Sequence, residues 1–187
     1  REMEDVPGRL KDAETVIKLD PRFVWARTER AEVLGETGRY APAKAEVDAL
    51  IRRFPKEAWS WAQRARLEGI SGRYEAALAD FDKAAALDPR CGPLVAWRAE
   101  TKRRLGRYQD ALADLDLAIR LDPGYRGAWA WRGRIKLLLG RTREAVRDFD
   151  RCLKLEPREM LARAWRAQAF FLLGDAERCA REYQELH

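Results

Sequence analysis

Few residues in this chain could make or break a covalent bond. The one histidine is the terminal His187, the serines are Ser60 and Ser71 alone, and there is no asparagine. No nucleophile with its base, paired acid, phosphate loop or metal spacing can be assembled from that set. Cys91, Cys152 and Cys179 show no metal or redox spacing, and they read as small core residues. Arginine is different. Arg30, Arg64, Arg98, Arg132 and Arg166 stand 34 residues apart, and Asp12, Glu46, Asp80, Asp114, Asp148 and Glu182 keep the same step. A guanidinium and a carboxylate in fixed register form bidentate pairs, which serve structure or recognition rather than catalysis. The seven tryptophans keep the step too, in three sets: Trp25 and Trp59, Trp61 and Trp129, and Trp97, Trp131 and Trp165.

The elements that must hold these side chains are clearest between Trp129 and Pro157. Ala128, Trp129, Arg132, Gly133, Ile135 and Leu139 recur at helical spacing, and Ala145, Val146, Phe149, Cys152 and Leu153 mark a second apolar stripe. Gly140 sits between the stripes, where the first helix must close and the chain must turn. Pro157 stops the second helix and pushes Glu156 out of helical geometry. Gly140 has counterparts at Gly38, Gly72, Gly106 and Gly174, and Pro157 at Pro21, Pro55, Pro89 and Pro123. One such hairpin leaves most of its apolar surface wet, so the units must stack.

The 34-residue period, with a small residue, three spacers and an aromatic (Ala145 to Phe149, Ala77 to Phe81) ahead of the proline, resembles the tetratricopeptide repeat, TPR. The resemblance covers essentially the whole chain. It implies an all-α, right-handed α-solenoid of antiparallel helix pairs whose first helices line a concave groove. Taking Arg126 as position 1 of a repeat, the expected organisation is a single array over residues 1–187. It has a leading helix over 9–21, repeats over 24–57, 58–91, 92–125 and 126–159, and an incomplete repeat over 160–187. With no leading methionine and no closing proline after Met160, the chain reads as excised from a longer protein.

Net charge is +6, spread over 68 charged residues, most of which read as solvated helix faces. That charge alone does not imply a nucleic-acid partner. No stretch approaches a membrane-spanning run, the first residues are no secretory signal, and the expected compartment is the cytoplasm.

Folding the hairpin about its glycine brings the position 7 arginines level with the position 23 acids, so the ladder is expected to be structural. Each arginine is also expected to reach the acid of the preceding repeat. Trp61 and Trp129, at position 4, are core residues by the resemblance. Trp97, Trp131 and Trp165, at position 6, lie on a flank, where they either pack on the adjacent repeat or form an aromatic ladder in the groove. By the same resemblance the groove passes from acidic (Glu29, Glu32, Glu36) through basic (Arg66, Arg103, Arg104) to apolar (Leu137, Leu138, Phe171, Leu172). The apolar end is open to a second reading, cover by a further repeat. The chaperone-tail carboxylate clamp is not supported, since position 5 is threonine or alanine and asparagine is absent.

The function this implies is a protein-interaction scaffold, without cofactor or metal. A peptide or partner segment, acidic with apolar anchors, would lie along Arg66, Trp97, Glu100, Arg104, Trp131, Arg134 and Trp165, with small Ala96 and Ala130 giving it room. Self-association through the cut repeat ends is a further possibility. Two alternatives compete: the recognition arm of an enzyme whose catalytic part lies elsewhere, and, more remotely, single-stranded RNA binding.

Overall fold

The computed structural model describes residues 6–185, and His187 falls outside them. The described residues form eleven helices and no strand. They are α1 (Val6–Leu19), α2 (Val24–Glu36), α3 (Tyr40–Arg53), α4 (Ala58–Ile70), α5 (Tyr74–Leu87), α6 (Gly92–Arg104), α7 (Tyr108–Leu121), α8 (Arg126–Leu138), α9 (Thr142–Leu155), α10 (Met160–Leu172) and α11 (Ala176–Gln184). The chain divides into two compact units, Arg1–Pro89 and Arg90–His187. In the first, α1 packs on α2, and α2/α3 and α4/α5 form hairpins. In the second, α6/α7, α8/α9 and α10/α11 form hairpins, with α6, α8 and α10 side by side.

The punctuation works as the backbone requires. Gly38, Gly72, Gly106, Gly140 and Gly174 are the residues with positive φ, at 74–76°. Just beyond the glycine, the Arg39 amide donates to the Leu34 carbonyl, and the Arg141 amide to Lys136, closing the orphaned helix end. At the other end of each hairpin the residue before proline is extended, with φ −141° at Asp122 and −138° at Glu156. The leading helix starts at Val6, three residues ahead of the expected boundary at Arg9, because Pro7 needs no amide partner in a first turn.

In the first unit Ala31, Leu34, Ala43, Val47, Ile51 and Leu67 form one buried cluster, with Val47 replacing the usual aromatic. In the second, Phe149 is fully buried, and Gly133 gives it that space. A Cβ on Gly133 would come within 2.6 Å of the ring.

Candidate functional site

The arginine ladder is an internal device. Arg64 places Nε and Nη2 each 2.7 Å from the Asp80 carboxylate, and Arg98 does the same to Asp114 at 2.8 and 2.7 Å. Arg132 pairs with Asp148 at 3.0 and 2.6 Å. In each case the partner is the expected position 23 acid. The acid from the preceding repeat is not at position 23, however, but two residues further on: Arg64 donates to Asp48, Arg132 to Asp116 and Arg166 to Asp150. The shift has a simple cause. Two residues turn the helix through about 200°, so the acid facing its own hairpin and the acid facing the next repeat must occupy different positions.

Chain length explains a second detail. Where position 23 is Asp the fork is met by both carboxylate oxygens, but in the outer repeats it is Glu46 and Glu182, and the Nε atoms of Arg30 and Arg166 are buried without a partner. The extra methylene moves the carboxylate off the fork's axis.

Position 4 carries a role that periodicity did not reveal. Trp61 Nε1 donates to the Pro55 carbonyl and Trp129 Nε1 to the Pro123 carbonyl, both at 3.0 Å. In other repeats arginine does this work, from Arg27 Nε to Pro21 and Arg163 Nη2 to Pro157, both at 2.8 Å. The donor always lies six residues after the proline, so it ties the inter-repeat turn to the helix that follows. The signal was in the sequence as a tryptophan or arginine six residues after Pro21, Pro55, Pro123 and Pro157; after Pro89 the position is Val95, which has no side-chain donor. Both indoles are only half-buried, and each lies under a ladder guanidinium, Arg64 over Trp61 at 5.0 Å and Arg132 over Trp129 at 4.8 Å.

The three position 6 tryptophans are half-buried as well. Trp97 Nε1 donates to Tyr125 Oη at 2.9 Å, and the Tyr125 ring meets Trp131 edge to face at 6.2 Å. Trp165 leans on Phe149 at 6.2 Å. They are therefore chiefly packing residues that leave an edge in solvent, not an open aromatic ladder. The expectation about room also fails: Ala96 is fully buried and Ala130 nearly so. Ala130 and Leu137 share one cluster with Ala162 and Ala169 of α10, which places position 5 against the next first helix rather than under a ligand. Leu137 is thus core, while Leu138, Phe171 and Leu172 are exposed as expected.

Of the charged candidates, Arg66 lies in the first unit, where its Nη1 pairs with Glu32 at 2.7 Å. The other six candidates lie in the second unit. There Glu100 accepts both arms of Arg103 at 2.7 Å and Arg104 Nε at 3.0 Å. Arg134 stands apart. Its guanidinium lies over the Trp165 ring at 5.6 Å and donates to Gln168 Oε1 at 2.8 Å. Among the described residues no carboxylate pairs with it. Burial, and then the charge of Arg103, hold its pKa below the usual guanidinium value. The face of α6, α8 and α10 thus contains a cation seated on an indole and, among the described residues, without a carboxylate partner. Cys152 is fully buried in α9, and burial pushes its thiol up to about 11, away from the nucleophilic thiolate.

Comparison with known proteins agrees with this fold. A tetratricopeptide repeat model matches residues 28–93, 63–126, 97–142 and 132–186. No curated protein sequence matches the chain. Among solved structures, TTC0263, a thermophilic TPR protein in Thermus thermophilus, is 23% identical over 87% of this chain and 89% of its own, with a TM-score of 0.77. YrrB, described as a TPR protein with an unusual peptide-binding site, is 17% identical over 93% of this chain and 90% of its own, at 0.63. The first TPR of Spaghetti (RPAP3), bound to the HSP90 peptide SRMEEVD, is 27% identical over 63% of this chain and 94% of its own, at 0.60.

Proposed function

We propose that this chain, a member of the tetratricopeptide repeat family, is a protein-interaction scaffold whose second unit binds an acidic peptide segment along α6, α8 and α10. Family membership supports interaction as the activity and non-catalytic recognition as the mode. The observation that carries the finer reading is Arg134, a guanidinium oriented by Trp165 and Gln168 with no carboxylate partner among the described residues. Such a group loses little freedom when a ligand carboxylate arrives, so its directional hydrogen bonds add affinity at small entropic cost. Arg104, more than half exposed, adds long-range attraction. Trp97, Trp131 and Trp165 offer exposed indole edges on which apolar side chains can rest, and Glu100 fixes the Arg103 and Arg104 side chains. The solved relative that holds SRMEEVD is consistent with an acidic ligand, although in this chain carboxylate recognition falls to position 9 rather than to a clamp using asparagine. The cytoplasm suits three free thiols.

The test is anisotropy of a fluorescein-labelled Glu/Leu peptide against intact protein. Arg134→Gln should weaken binding by on the order of 2 kcal/mol, and Glu32→Ala should change it little. Equal affinity for a Lys/Leu peptide, or for single-stranded RNA of the same length, would refute the reading.

A further inference from the structure

The second open surface is the face of α10 that carries Met160, Leu161, Ala164, Phe171 and Leu172, which has no charged residue. Phe171 is 71% exposed, the most of any aromatic ring among the described residues. The repeat itself indicates what such a face contacts. Position 12 of a first helix meets position 10 of the next: a Cβ on Gly35 would come within 2.7 Å of Leu67 Cδ2, and Leu137 shares a buried cluster with Ala169. Sizes compensate at that meeting, glycine with leucine and leucine with alanine. Arg103, at the same position of α6, avoids the question by turning its charged end to Glu100. In α10 position 12 is Phe171, the bulkiest apolar residue found there.

We propose that this face of α10 docks one helix of a partner polypeptide, lying along α10 as α10 lies along α8. By continuity with the α8/α10 interface, that helix carries an aromatic residue at its position 6 and glycine or alanine at position 10. The small residue receives the Phe171 ring, and the incoming aromatic rests beside Ala164, as Trp165 rests beside the cluster holding Ala130. Gln168, which accepts from Arg134, stands between Ala164 and Phe171 on this face, so the two sites adjoin; Phe171 belongs to helix docking alone, and its variants separate that from acidic-peptide binding.

The probe is a stapled, labelled peptide of residues 126–139 with Ile135→Ala, titrated into intact protein. Saturable binding is expected, at least about tenfold weaker for the Ile135 parent peptide, the size of effect one or two misfit methylenes produce. Phe171→Glu should abolish it. Phe171→Ala should reverse the preference, favouring the parent peptide. Phe171→Glu should leave binding of the acidic peptide unchanged. Because Phe171 is exposed, these variants should keep the melting temperature of the parent protein. Absence of binding, indifference to the residue at position 10, or a homodimer in sedimentation that Phe171→Glu dissolves would each overturn the proposal, the last by making a second copy the occupant.

Discussion

Removing one guanidinium from the ladder is the sharpest test of its structural role, and Arg132 is the best site. Asp148 is only 3% exposed and receives Arg132 Nε and Nη2, while Arg132 Nη1 reaches Asp116 at 2.7 Å and the guanidinium covers Trp129. Arg132→Ala strands Asp148 with Lys136 Nζ at 2.8 Å as its surviving partner. Stranding a buried charge costs roughly 3–5 kcal/mol, and the surviving lysine places the expected loss at the low end, about 3 kcal/mol. The assay is urea denaturation of Arg132→Ala, Asp148→Leu and the double variant, with the slope checked for constancy. The double variant should recover much of the loss, because the uncompensated charge is gone. A single variant within about 0.5 kcal/mol of the parent, as for an ordinary surface residue, or strict additivity of the pair, would refute the reasoning.

Gly140→Ala should cost about 1–2 kcal/mol by backbone strain alone, since φ is +74° and nothing lies within 4 Å of the added Cβ. Thermal melting that shows no loss would mean the turn relaxes. Gly133→Ala should cost about 1–3 kcal/mol by overpacking against Phe149, despite alanine's better helix propensity, and adding Phe149→Leu should restore most of it. In Glu32 burial works upward, but the charge and hydrogen bonds of Arg66 and the bond from Gln63 outweigh it and hold the pKa below the ordinary value. In Asp48 burial likewise works upward and is outweighed by Lys44 and Arg64. Both folded pKa values are depressed, so their stabilisation is complete above the unfolded carboxylate pKa of about 4 and drains away as pH falls below it. Urea midpoints from pH 6 to pH 3 should fall for the parent and fall less for Glu32→Gln.

The sequence was most legible where one residue alone dictates backbone geometry. The five glycines at positive φ and the extended residues before each proline could be placed without knowing any neighbour, because the constraint is local. The hairpin pairing of position 7 with position 23 was legible for a related reason: a short turn fixes the register of two helices. What depended on the offset between successive repeats was not legible. The second acid of the ladder lies at Asp48, Asp116 and Asp150 rather than two residues earlier, and Ala130 and Leu137 face the next helix rather than a ligand. The exposure of Trp97, Trp131 and Trp165 depends on Tyr125 and Phe149, side chains whose positions no periodicity specifies. Arg134 stands out only in three dimensions, where Glu100 is engaged by Arg103 and Arg104 and, among the described residues, no carboxylate pairs with Arg134.

Arginines repeated in every unit brace the hairpins, while Arg134, without a carboxylate partner among the described residues, is the one proposed to bind. Side-chain NMR of the arginine Nε and tryptophan indole groups, followed while the acidic peptide is added, tests this division most directly. The account predicts saturable shifts at Arg134 and Trp165, with Arg98 and Arg132 unmoved. Shifts concentrated on Arg98 and Arg132, with Arg134 silent, would contradict it.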